Sequence, residues 1–177
     1  MLRHARKKMQ GLSNPVQLLA ADLDNFQLRN TYDTAISMFA VVGYLTENTQ
    51  LNAFLSSVHN HLKDGGLLVF DVWHGPAVLR QLPETRERTA ETGNRKIRRR
   101  AVPSLDCVKN VVKVDYTLSG ADDHFECQES HRMRYFFVPE LELLARTHKF
   151  GLQAVYPFLS FAEPRENDWN MTVVLKK

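Results

Sequence analysis

Two histidines stand where they could do chemistry: His74, directly after the apolar run LLVFDVW, and His131, which opens the run HRMRYFFV. An imidazole titrates near neutrality, so either can take a proton from a bound group or orient it through a hydrogen bond. Each also has a plainer role. His74 can cap a helix beginning near Gly75, and His131 can pair with Glu129. Tyr44, Trp73 and Tyr135 can wall a substrate pocket or simply fill a core. Arg132 and Arg134 alternate with apolar neighbours, which gives one strand face a basic character suited to an anionic substrate or to solvent. Other chemistries lack their residues. The seven histidines are dispersed, and His59 and His61 share a helical pattern at a spacing that points them apart, so no metal set is expected. Cys107 and Cys127 are distant in sequence and read as free thiols, and no Ser/His/Asp or Cys/His hydrolase pattern is present.

The chain has 177 residues, 44% hydrophobic and 24% charged, a composition that supports one core with an embellishment. Its net charge of +3 comes from local basic clusters at 3–8 and 95–100. Neither cluster interleaves aromatic residues with basic ones, so nucleic acid is not expected as a partner. Apolar runs such as AISMFAVVGYL fall short of the ~20 residues that cross a bilayer, and MLRHARKKMQ is too polar for a secretory signal. A cytoplasmic protein without a membrane partner is the expectation.

The elements that must position these residues follow from periodicity. Residues 1–10 are strong helix formers, the stretch 11–15 breaks them, and 16–21 is a short apolar run ending in Asp22, read as a strand. A second strand is expected over 34–39. Thr46 is placed to cap a helix whose apolar positions Leu51, Phe54, Leu55, Val58 and Leu62 recur at helical spacing. Lys63, Asp64, Gly65 and Gly66 then turn the chain into a continuously apolar strand over 67–72, the pattern of a parallel strand covered on both faces. From about 90 to 137 the texture changes to alternation, giving antiparallel strands near 95–102, 108–118 and 125–136, with a turn at 120–123. A helix from Pro139 to about Lys149 and strands over 151–156 and 169–175 complete an α/β chain.

That series resembles the class I S-adenosylmethionine (SAM)-dependent methyltransferases. Ala21, Asp22 and Leu23 resemble the acidic strand end whose carboxylate accepts from the adenine amino group, with Leu23 against the ring. Tyr32, Asp33, AISMF and then Gly43, Tyr44 and Leu45 resemble the central strand and its turn, where backbone near Met38 and Phe39 faces the cofactor. Leu62, Lys63, Asp64, Gly65 and Gly66 resemble the family's LxPGG turn, with Asp64 in place of proline. Phe70, Asp71, Val72, Trp73 and His74 resemble the strand end that opens onto substrate. The run from His131 to Phe136, followed by Pro139, Glu140, Leu141 and Leu144, resembles the lid strand and last helix of small-molecule methyltransferases, including those acting on the amino groups of sugars and glycine.

The resemblance implies a Rossmann-like methyltransferase sheet forming a single domain over 1–177, with an antiparallel β insertion over 90–137 as a lid that can pair two copies into a homodimer. It implies SAM as cofactor, a small-molecule acceptor, transfer to nitrogen or oxygen, Asp22, Leu23, Met38 and Phe39 against the cofactor, and Tyr44, Trp73, Arg134 and Tyr135 against the acceptor. His74 and His131 are then candidates for the base. The family's glycine-rich loop is not seen, and Met1 and Leu2 resemble the interior of a family helix, so the expectation is an N-terminally truncated domain that binds cofactor weakly by itself. A truncated, non-catalytic binding or dimerisation module is the alternative.

Overall fold

The computed structural model describes residues 2–9, 16–92, 95–120 and 125–177. Its organising element is β2 (Leu62–His74), a 13-residue strand whose apolar residues are covered on both faces. On one side β2 pairs in parallel with β1 (Tyr32–Ser37), with Ala35 opposite Leu68 and Ser37 opposite Phe70. On the other it pairs antiparallel with β8 (Asn170–Lys176), which in turn pairs with β7 (Gly151–Pro157).

One main core explains this arrangement. Helix α2 (Asn48–His61) buries Leu51, Phe54, Leu55 and Val58 against Leu68, Phe70 and Val72 of β2 and Met171, Val173 and Leu175 of β8. The helix α4 (Val138–Thr147) adds Leu141 and Ala145 to the same cluster. Both helices begin with the N-cap N–H bonded to the side chain three residues on: Glu47 N donates to Gln50 Oε1 at 3.3 Å, and Phe137 N donates to Glu140 Oε2 at 3.5 Å. The first cap is thus Glu47, one residue beyond the expected Thr46.

The remaining strands form an antiparallel extension: β3 (Arg86–Thr92), β4 (Arg95–Asp106), β5 (Val111–Gly120) and β6 (Glu126–Phe136). The sheet is continuous, in the order β3-β4-β5-β6-β2-β8-β7 with β1 also on β2. The junction is narrow, because β6 meets β2 only through Trp73 opposite Tyr135 and His74 opposite Phe136. A second cluster, formed by Val78 of α3 (Gly75–Arg80) with Val112, Val114 and Tyr135, anchors the extension over the carboxyl end of β2.

Three expectations change. Residues 16–21 form no strand: apart from the bridge between Asp22 and Asn25, this stretch has no ladder among the described residues, and Val16 and Leu19 are exposed. A strand needs a neighbour to take its backbone hydrogen bonds, and none is described beside it. The glycine turn at 63–66 is an irregularity within β2, where Gly65 takes φ 78° and its N–H donates to Lys177 O at 3.0 Å. The additional strand β3 was hidden because its charged sequence RERTAET offers no apolar face. The lone helix α1 (Leu2–Met9) forms where helix formers predict it, and the expected turn at 120–123 lies mostly outside the described residues.

Candidate functional site

The carboxyl ends of β1 and β2 meet in a strained turn. Phe39 and Ala40 both adopt left-handed backbone (φ 70° and 54°), at a cost of roughly 1–2 kcal/mol for each residue with a Cβ. The carboxylate of Asp71, fully buried in β2, offsets part of this by accepting the Ala40 N–H at 2.9 Å with both oxygens. A hydrogen bond to a charged group contributes about 1.5–3 kcal/mol, the same order as the strain. The turn leaves the Phe39 ring 83% exposed and leads into a 3-10 turn, Val41–Tyr44.

That short helix is held close to β6. A Cβ on Gly43 would lie 3.1 Å from the Arg134 carbonyl and 3.1 Å from Met133 Cε, so only glycine allows this approach without a shift. Tyr44 is thereby delivered to β6, where its hydroxyl lies 2.8 Å from His131 Nδ1. His131 Nε2 lies 3.4 Å from Glu129 Oε2. An ionised carboxylate only accepts, so the neutral ring carries its proton on Nε2, toward Glu129, and Nδ1 accepts from the Tyr44 hydroxyl. The Tyr44 phenol is held above its ordinary pKa of 10.0, first by burial and then by the neighbouring Tyr116 and Glu129, so it is protonated at neutral pH. Tyr116 stands edge-on to His131 at 5.3 Å, and the Arg99 guanidinium lies over its ring at 5.2 Å.

These groups border a cavity of about 430 Å³, with Phe39 and Ala40 on one side and Tyr44, Trp73 and His131 on the others. Trp73, Val114 and Tyr116 also border a second cavity of about 410 Å³, which continues toward Trp169 and β3. The site therefore joins the carboxyl end of an open α/β sheet, where such folds bind ligands, to an antiparallel roof.

Comparison with known proteins fits this geometry. Residues 1–66 match the family described as "Methyltransferase domain". Over 76 residues the chain is 36% identical to the dTDP-3-amino-3,4,6-trideoxy-alpha-D-glucopyranose N,N-dimethyltransferase of Streptomyces venezuelae, an alignment spanning 43% of this chain and 30% of that relative. An S-adenosylmethionine-dependent methyltransferase from Clostridium acetobutylicum superposes with a TM-score of 0.83 over 99% of this chain and 70% of its own, at 17% identity. The CcbJ methyltransferase from Streptomyces caelestis gives 0.82 over 99% and 74%, at 16% identity. The fold is that of a class I SAM-dependent methyltransferase.

Within this methyltransferase fold the sequence-predicted residues separate into groups. Tyr44, Trp73, His131 and Phe39 converge on the larger cavity. Met38 is half-buried beside Phe39, in the segment between β1 and the 3-10 turn. Asp22 is exposed with its carbonyl accepting from Asn25 N at 3.2 Å, and Leu23 packs against the main core. His74 borders neither cavity. Its ring is nearly buried, with Nδ1 3.2 Å from the Asp168 carbonyl, and its pKa is lowered, chiefly by burial, against an opposing contribution from Asp168. It does precede α3 at the cap position, through its backbone alone. Arg134 faces away from the larger cavity: its guanidinium binds Glu140 at 2.5 Å and Asn48 Oδ1 at 2.8 Å and lies over Phe136, which ties β6 to α2 and α4. Tyr135 is fully buried in the second cluster, its phenol pKa raised by burial.

Sequence reasoning missed Asp71 as a support, Tyr116 and Arg99 as walls, and Trp169. Tyr116 carried a signal, since it falls on the same alternating face as Val112 and Val114 in VVKVDYTL. Asp71 carried none, because its partner is a backbone N–H 31 residues away. Among the described residues no group of His, Cys, Asp and Glu is arranged to hold a metal ion, and no helix is long and apolar enough to cross a membrane.

Proposed function

We propose that this chain acts in SAM-dependent methyl transfer to a nitrogen or oxygen of a small molecule, with the cavity beside Tyr44 and His131 receiving the acceptor. The observation that carries the reading is the hydrogen-bonded series Tyr44, His131, Glu129 at the rim of a cavity that opens at the carboxyl ends of β1 and β2. What supports the cofactor is the turn at Phe39 and Ala40, which presents an exposed ring at the end of β1 suited to one face of an adenine; Asp22, also exposed, is the acceptor that the resemblance assigns to its amino group. When bound, SAM supplies an electrophilic methyl group for in-line displacement.

Both nitrogens of His131 are engaged, so the group facing the acceptor is the Tyr44 hydroxyl oxygen. It accepts the proton that an acceptor N–H or O–H must lose, while its own proton passes to His131 Nδ1. The imidazolium that forms lies beside Glu129, which stabilises it. Trp73 and Tyr116 wall the cavity and orient the acceptor. The aminosugar methyltransferase from Streptomyces venezuelae makes a small amine the first acceptor class to test.

The decisive experiment measures transfer of labelled methyl from SAM across a panel of small amines and alcohols. His131→Asn and Tyr44→Phe should each lower the rate by ~10²–10⁴-fold with little change in KM. Unchanged rates in both variants would remove the relay. The same reading places the protein in the cytoplasm and pairs two copies through the β3–β6 extension, whose outer strand β3 leaves one edge of backbone groups unpaired.

A further inference from the structure

The second cavity has no role in the relay. It lies beyond Trp73, and its walls are aromatic and stiff: Trp73, Trp169 and Tyr116, with Pro83 and Pro103 beside them. The two indoles meet edge to face, with centroids 6.0 Å apart and planes at 64°, so they do not stack on each other and indole face remains for a guest. Val114 and Ala101 complete an apolar floor. With about 410 Å³, the cavity has room for a one- or two-ring group.

Its rim is basic. Arg86 borders it, and the β3–β4 register places Arg86 opposite Ala101 and Arg88 opposite Arg99. Strand alternation puts all three arginines on one face of that hairpin. Like charges directly opposite on neighbouring strands repel, and among the described residues no ion pair involves Arg86, Arg88 or Arg99. Among the described residues Glu84 is the one carboxylate lining this cavity and Arg86 the one arginine; Arg99 lies over the Tyr116 ring and borders the larger cavity with Glu129. An anion bound at Arg86 sits one alternation step from the facing pair Arg88 and Arg99 and relieves their repulsion.

We propose that this cavity is a binding subsite for a flat aromatic ring bearing a negatively charged substituent, the ring lying against Trp73, Trp169 and Tyr116 and the charge meeting Arg86 at the rim, with the facing pair Arg88 and Arg99 next along the same hairpin face. Taken with the methyl-transfer reading, on which this assignment rests for its biological use, the ring is the remote part of the acceptor. Its binding holds the reacting atom in the neighbouring cavity beside Tyr44. The two cavities share Trp73, Val114 and Tyr116, so one molecule can reach through both.

The chain has two tryptophans, and both border the subsite, so a nitrogen-15 spectrum of the intact chain carries two indole N–H signals that report on it directly. The probes are 2-naphthoate, its saturated analogue decalin-2-carboxylate, and 2-naphthylmethylammonium. The expected result is saturable shifts of both indole signals with 2-naphthoate and binding roughly three- to ten-fold tighter than the saturated acid, the gain that aromatic contacts supply. The cationic probe should bind more weakly than 2-naphthoate, and Arg86→Gln should narrow that difference. Ala101→Leu, which fills the floor, should abolish the shifts while the backbone signals of α2 and β8 stay in place. Motionless indole signals, equal affinity for the flat and saturated acids, preference for the cation, or shifts that survive Ala101→Leu would each overturn the proposal. If 2-naphthoate binds as described but S-adenosylhomocysteine does not bind the chain, the subsite stands and the methyl-transfer reading falls.

Discussion

Tyr44 and His131 each settle where the other's proton sits, and this is what makes the pair more than two polar side chains at a cavity rim. The raised Tyr44 pKa keeps the phenol protonated, and Glu129 holds the ring proton of His131 on Nε2, so the hydroxyl donates to Nδ1 and its oxygen keeps lone pairs toward the cavity. Other histidines act on stability instead. His59, His74 and His148 all have pKa values below the ordinary 6.5, in each case chiefly because burial disfavours the charged ring. Below pH 6.5 the unfolded chain then binds more protons than the folded one, so stability rises with pH there. The stabilisation present at neutrality is lost as the pH falls from the ordinary value through the lowered ones. Urea midpoints measured from about pH 7 to about pH 5 should therefore decline, and less steeply in His148→Gln, which removes one of the three groups. A flat profile, or an equal slope in the variant, would contradict this.

At the scale of elements, the site depends on how closely the 3-10 turn approaches β6. Gly43 sets that distance, since an added Cβ meets the Arg134 carbonyl at 3.1 Å and a backbone atom cannot swing aside. In Gly43→Ala the turn should move by a few tenths of an ångström, lengthening the Tyr44–His131 hydrogen bond. The expected outcome is a thermal midpoint a few degrees lower together with a perturbed His131 imidazole signal, and an unchanged imidazole signal would show that the turn does not position Tyr44. Much of this layer was legible in the sequence. The helical spacing of Leu51, Phe54, Leu55 and Val58 and the unbroken apolar run of β2 each follow from burial, which leaves a period in the chain. What could not be read depends on contacts remote in sequence. The left-handed pair Phe39 and Ala40 contains no glycine or asparagine, and Asp71 supports it from another strand. The start of β5 at Val111, later than the expected 108, reflects a local turn in which Asp106 Oδ1 accepts from Val108 N and Lys109 N at 3.1 and 3.0 Å. Residues 16–21 show the opposite failure, an apolar run that lacks a partner strand.

For the whole molecule, the central feature is that one sheet does two jobs. Its parallel part, β1 with β2, ends in the turn at Phe39 and Ala40, and its antiparallel extension, joined through two residue pairs, forms a roof that carries His131 and Tyr116. His131 and Tyr44 are 87 residues apart in sequence, which is why neither pattern alone identified their contact, although each residue was separately a candidate. The class I methyltransferase fold brings these parts together at the carboxyl ends of its strands, where open α/β sheets bind ligands. SAM binding at this end of the sheet is the proposal on which the others depend. It is tested most directly by calorimetric titration of S-adenosylhomocysteine into the 177-residue chain, repeated with Asp22→Ala and Phe39→Ala. Saturable binding is expected, with Kd on the order of 100 µM, weakened about ten-fold or more by either substitution. No saturable binding at millimolar ligand, or binding that both substitutions leave unchanged, would contradict it.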